Sequence, residues 1–140
     1  CIINPKIEFT PDLLAPSKTR YDANKILQKF NTDKNLIMVT EKDIAFKKSD
    51  SIPEWGIFGL GFNPGNTSII STFRLKKNVT NLVVLERIRK VSIHEFGHNM
   101  GLSHCEFDIQ CVMNDARGSI KQVDKEKKWL CKMCYTQLNH

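Results

Sequence analysis

The spacing of apolar positions changes along the chain, and each change marks an element. Residues 2–16 carry short apolar clusters (Ile2 and Ile3; Ile7 and Phe9; Leu13 and Leu14) interrupted by Pro5, Pro11 and Pro16. Proline supplies no backbone donor, so this stretch predicts one short strand and otherwise irregular backbone. From Ser17 the spacing becomes helical. Tyr21, Ala23, Ile26, Leu27 and Phe30 share a face, Lys18, Arg20, Lys25 and Lys29 are left for solvent, and Ser17 is a candidate cap. This reads as a backing helix. Leu36 to Thr40 is a short, partly β-branched apolar run, the pattern of a buried strand, and the charged stretch Glu41 to Pro53 reads as a connection. Trp55 to Phe62 alternates glycine with large apolar residues and meets Asn63-Pro64-Gly65-Asn66, a strong turn signal. Strand, turn and a second strand over Thr67 to Leu75 are expected, the second offering an edge to a substrate.

A long helix follows. Asn78 or Thr80 can cap it, and Leu82, Leu85, Ile88, Val91, Ser92, Glu95, Phe96 and Asn99 track one broad face toward Gly101, with Arg87, Arg89 and Lys90 displaced from that face. Gly59-x-Gly61 lacks the third glycine, lysine and following helix of a phosphate loop, so close backbone approach is its expected use. With no repeat or linker in view, residues 1–140 are expected to form a single domain, with 1–15 as an N-terminal extension.

Composition adds boundaries to this picture. Hydrophobic residues make up 41% and charged residues 26%, which excludes a disordered chain and permits a modest core. No apolar run is long enough to span a bilayer. The net charge of +6 is spread along the chain without a basic stripe, so no nucleic-acid partner is expected. Of the five cysteines, Cys1 suits the anchor of an exported lipoprotein, whereas thiols used as metal ligands favour a reducing, cytoplasmic setting. The cytoplasmic reading is preferred, with export as the alternative.

The chemistry concentrates where the long helix ends. His94 and His98 are four residues apart, one helical turn, so two imidazoles can share one metal ion. Glu95 stands beside the first histidine, where a carboxylate can serve as general base without occupying a ligand position. Gly101 can adopt the left-handed backbone that stops a helix, and the resulting reversal can bring in His104 as third ligand. Three neutral histidines leave one corner of a tetrahedral zinc ion for solvent, the arrangement of a catalytic site. Directly after them come Cys105 and Cys111, then Cys131 and Cys134, two pairs of closely spaced thiols. A closed structural zinc site is the preferred reading, since it would tie two distant segments together; two local disulfides or a redox-active CxxC are the alternatives.

The run His94-Glu95-x-x-His98-x-x-Gly101-x-x-His104-Cys105, then Cys111-Val112-Met113, seventeen residues, and Cys131-x-x-Cys134, resembles the archaemetzincins, a branch of the metzincin metallopeptidases. Five residues separate Cys105 from Cys111, one more than in the family pattern. The resemblance extends over about residues 16–138 and is strongest over 86–134.

It implies an α/β (α+β) fold: a compact metzincin-like domain with a mixed, twisted sheet, a backing helix and an active-site helix, closed by a zinc-stabilised segment at 105–134. It further implies two zinc ions, one catalytic on His94, His98 and His104 and one structural on Cys105, Cys111, Cys131 and Cys134. Met113 would be the methionine of the turn beneath the catalytic metal. The expected activity is zinc-dependent hydrolysis of a peptide or protein substrate by a monomer, aminopeptidase action included, with Glu95 as general base. The alternative is a noncatalytic, zinc-stabilised peptide-binding domain.

Overall fold

A computed structural model of the protein describes residues 2–139, so the reading of Cys1 as a lipid anchor lies outside the described residues. After a single 3-10 turn at Pro11–Leu13 come β1 (Tyr21–Asp22), α1 (Ala23–Lys29), β2 (Leu36–Thr40), β3 (Ile44–Phe46), β4 (Trp55–Ile57), β5 (Gly59–Gly61), β6 (Thr67–Ser71), α2 (Asn81–Asn99), α3 (Ile120–Lys125) and α4 (Lys132–Leu138). The fold is mixed α and β. In place of one sheet the strands form two, ordered β1-β3-β4 and β2-β6-β5. Each combines a parallel pair (β1 with β3, β2 with β6) with an antiparallel one (β3 with β4, β5 with β6).

The second sheet is the spine, and β6 is its centre. All five residues of β6 are buried. Successive strand residues point to opposite faces. Ile69 therefore joins a core with Leu13, Ala23, Ile26, Leu27, Met38 and Ile44 under α1, while Ile70 joins Leu75, Val91 and Val123 under α2. Each fully buried leucine, isoleucine or valine side chain among these contributes about 1.5–3 kcal/mol of transfer free energy. A third apolar cluster, Leu102, Cys105, Cys111, Val112, Met113 and Cys134, lies beyond the C-terminal end of α2.

Several expectations change. Residues 2–16 contain no strand beyond a single bridge from Leu14 to Tyr21. Helix α1 begins later than expected: Asp22, whose carboxylate accepts from the backbone N–H groups of Asn24 and Lys25, is its cap. Ser17 instead turns to Glu54, donating its amide and its hydroxyl, each at 2.6 Å, to the carboxylate. The connection at 41–53 contains β3, whose three residues are too few to reveal a period. The run 55–62 is two strands in two sheets. Most consequentially, the 67–75 strand is no edge, because β6 is hydrogen-bonded on both sides.

Along α2 the buried face also differs from the expected one. Leu82 is 76% exposed and Leu85 is also exposed, while Arg87 is buried. A helix of 19 residues is about 28 Å long and a five-residue strand about 17 Å, so the sheet cannot cover the first turns of α2. Arg87 is drawn inward by Asp124 of α3 and by the Leu75 carbonyl, with donor–acceptor distances of 2.7–2.8 Å. Thr80 caps α2 through its backbone alone, and Asn78 occupies a left-handed turn (φ 56°) just before it. No helix among the described residues is long and apolar enough to cross a membrane.

Candidate metal centres and cleft

Packing of α2 on β5 and β6 brings its last two turns to the mouth of a cleft. Gly101, at φ 90°, ends the helix in the left-handed region that a side chain would strain. The chain then turns back, with the Gly101 and Leu102 amides donating to the carbonyls of His98 and Gly97 at 2.8 and 3.0 Å. The segment carrying His104 is pinned next door: the Cys105 amide donates to the Met113 carbonyl at 2.8 Å, and the Asn114 side chain donates to the Cys105 carbonyl at 3.2 Å. As a result His94, His98 and His104 come together, one nitrogen of each lying within 4.8 Å of the others.

The hydrogen bonds assign the tautomers. His94 donates from Nδ1 to the Val112 carbonyl at 2.7 Å, and His98 donates from Nδ1 to the Leu102 carbonyl at 2.8 Å. A carbonyl can only accept, so each Nδ1 holds the proton and each Nε2 presents a lone pair. Those two Nε2 atoms face each other at 3.1 Å. Two lone pairs at that separation repel unless a cation lies between them. Zinc–nitrogen bonds of about 2.0–2.1 Å in tetrahedral geometry place nitrogens about 3.3 Å apart, so the donor set fits a zinc ion. Burial pushes the His94 imidazole down to about 4, helped by the neighbouring His98, and depresses His98 in the same direction, so both rings are neutral at physiological pH.

Glu95 projects from the same turn of α2 and is buried. Burial pushes its carboxyl up to about 8, opposed by a hydrogen bond from the Gly61 backbone. Close approach does explain Gly59 and Gly61. A Cβ on Gly59 would stand 2.9 Å from the Glu95 carboxylate, and one on Gly61 would stand 2.8 Å from the Glu95 carbonyl.

Met113 is wholly buried beneath Gly97, between the two histidines of the helix; a Cβ there would meet its sulfur at 2.3 Å. Asn63 donates to the Leu102 carbonyl at 3.0 Å and so braces the same oxygen that orients His98. Asn63 stood in a stretch legible only as a turn, and nothing in its spacing marked it as a support for a ligand.

The four cysteines also converge, with sulfur atoms within 4.8 Å of one another and Cys105 and Cys131 separated by 3.6 Å. All four are free thiols, and a disulfide needs about 2.05 Å. Four zinc-bound sulfurs would lie about 3.8 Å apart, given zinc–sulfur bonds of about 2.3 Å, so this set too fits a tetrahedral ion. Burial raises the Cys111 thiol, and the Cys131 amide, which points at its sulfur at 3.2 Å, opposes that rise.

The cleft beside the histidines encloses about 250 Å³. One wall is the β4–β5 segment, including Ile57, Phe58 and Leu60; the other comes from residues after Met113, including Asp115, Arg117 and Glu126. Asp115 lies 3.9 Å from His104 Nδ1, beyond direct hydrogen-bond range. Sequence reasoning singled out neither Asp115 nor Glu126.

A model of peptidase family M54 matches residues 14–140. The archaemetzincin of Haloquadratum walsbyi is 30% identical over 129 residues, covering 84% of this chain and 70% of that protein. For other curated relatives the share of their own length that this chain spans falls to 62% and 57%. The crystal structure of the Archaeoglobus fulgidus archaemetzincin superposes with a TM-score of 0.82 at 28% identity, covering 96% of this chain and 79% of that one. A zinc-dependent peptidase from Methanocorpusculum labreanum superposes with a TM-score of 0.78 at 25% identity, covering 94% and 81%.

Proposed function

Because the chain belongs to peptidase family M54, we propose that it is a zinc metallopeptidase whose catalytic ion is held by Nε2 of His94, Nε2 of His98 and an imidazole nitrogen of His104. The observation that carries this reading is the pair of Nε2 lone pairs facing each other at 3.1 Å, their Nδ1 protons committed to backbone carbonyls, beside an open cleft. A zinc ion held by these three histidines would supply Lewis-acid polarisation and positive charge for the hydrolysis.

The chain's own groups do the rest. Glu95 receives the proton of the attacking water at a carboxylate oxygen and returns it to the amine nitrogen as the peptide bond breaks. Its buried position on the cleft shields the transferred proton from bulk solvent between those two events. The substrate lies extended along residues 55–61, because β4 and β5 are terminal strands of their sheets and both contribute to the cleft wall. Cys105, Cys111, Cys131 and Cys134 would hold a second ion, which would tie the segment after His104 to α4.

Replacement of Glu95 by glutamine, assayed with free and blocked peptides alongside metal analysis, tests the proposal. The variant should keep its zinc and lose about 10²–10⁴-fold in turnover, a general base's share. Full activity in that variant would remove Glu95 from the mechanism. Peptide binding by the zinc-loaded protein without any chelator-sensitive cleavage would favour the noncatalytic alternative.

A further inference from the structure

The fold leaves one cleft carboxylate without a salt bridge and with one oxygen unsatisfied. Glu126 closes the C-terminal end of α3, is 6% exposed, lines the cleft, and has a buried Oε1 that accepts no hydrogen bond. Buried carboxylates are rare unless paired, because the charge loses its hydration. Three carboxylates elsewhere do find cations: Asp43 pairs with Arg20 and Arg74, Asp124 with Arg87, and Glu86 with Arg89 and Lys128.

The groups facing Glu126 are occupied. Lys90 donates to the Val123 and Asp124 carbonyls at 2.9 and 3.0 Å, and the Gln122 amide donates to the Ile109 carbonyl and Asn114 Oδ1 at 2.7 and 3.1 Å, so the Gln122 side chain and the Lys90 charge offset the burial of Glu126 only in part and neither pairs with its Oε1. Asp115, the third neighbour, adds negative charge. Burial pushes the Glu126 carboxyl up to about 7, so a full charge there is disfavoured until a cation arrives.

Its place in the cleft says which cation. Val123, three residues before Glu126, packs in one buried cluster with Val91 of α2, and both valines line the cleft. Val91 precedes Glu95 by four residues, so this apolar wall lies on the same face of the helix, about 6 Å from the base along the axis. That is the reach of a side chain from a residue adjoining the bond under attack. An apolar wall with a carboxylate at its end matches an aliphatic stem tipped with an ammonium or guanidinium.

We propose that Glu126 forms the floor of a side-chain subsite that selects lysine or arginine next to the scissile bond. The proposal rests on the peptidase reading above and specifies its substrates as peptides with basic residues at that position.

Peptides differing only at one residue beside the cleaved bond (lysine, arginine, norleucine or glutamine) test it in two arms. In the first, wild type should show kcat/KM about tenfold or more higher for lysine and arginine than for norleucine, a difference of about 1.4 kcal/mol, and Glu126→Gln should erase it. In the second, the affinity of Glu95→Gln for the same peptides is compared with that of the Glu95→Gln, Glu126→Gln double variant by calorimetry, which needs no turnover. A basic preference present in the first protein and lost in the second supports the subsite even if wild type cleaves nothing, which would sink the peptidase reading alone. Equal affinity for all four peptides, no measurable affinity for any, or a basic preference that survives in Glu126→Gln overturns it.

Discussion

Single atoms decide the candidate site. His94 and His98 can act as metal donors because two carbonyls, from Val112 and Leu102, take their Nδ1 protons and aim the other nitrogens at one point. The same crowding makes Gly97 sensitive. An alanine there would gain up to about 1 kcal/mol of helix propensity. Its Cβ, however, would fall 2.3 Å from the sulfur of Met113, which is fully enclosed and has nowhere to retreat. Overpacking of this kind costs about 1–3 kcal/mol, so the loss should win. Gly97→Ala is expected to lower the denaturation midpoint and weaken zinc retention at the histidines, since the turn joining them must shift. A variant as stable as wild type would show that Met113 yields.

At the level of elements, the α2–α3 clasp deserves a test of its own because it carries one wall of the cleft. Arg87 is buried and donates twice to Asp124, whose carboxyl is held below its usual 3.8 by that hydrogen bond. A carboxylate with a depressed folded-state pKa contributes stability that is complete above its unfolded pKa and is lost as pH falls through the folded value. Asp124→Asn should therefore be less stable than wild type at pH 6, by about 1–2 kcal/mol given the exposure of Asp124, and the two proteins should converge as pH drops below 3.8. Melting curves across pH 3–7 read this directly. A gap unchanged down to pH 3 would mean the carboxylate's charge is immaterial to the clasp.

Over the whole molecule, two donor sets stand side by side, three imidazoles on the cleft and four thiols packed behind them, linked by the bond from Cys105 to His104. They should separate under mutation. The wild-type chain is expected to bind two zinc ions. Cys134→Ser should retain one and melt markedly lower, because Cys134 lies inside the third apolar cluster; His98→Ala should also retain one but melt close to wild type. Metal analysis with thermal melts distinguishes these outcomes, and a wild-type ratio of one zinc per chain would contradict the second site.

The sequence by itself determined what depends on short spacings. Four residues between His94 and His98 set two rings on one helical face, Gly101 ended that helix, and the period of Ala23, Ile26 and Leu27 made α1 amphipathic. Only the tertiary structure decided that β6 is central, that β4 and β5 divide between two sheets, that Arg87 is buried and that Glu126 is left without a salt bridge. Each of these turns on contacts between residues distant along the chain, Arg87 with Asp124 or Ile70 with Val91, and local periodicity carries no record of which distant partner will arrive.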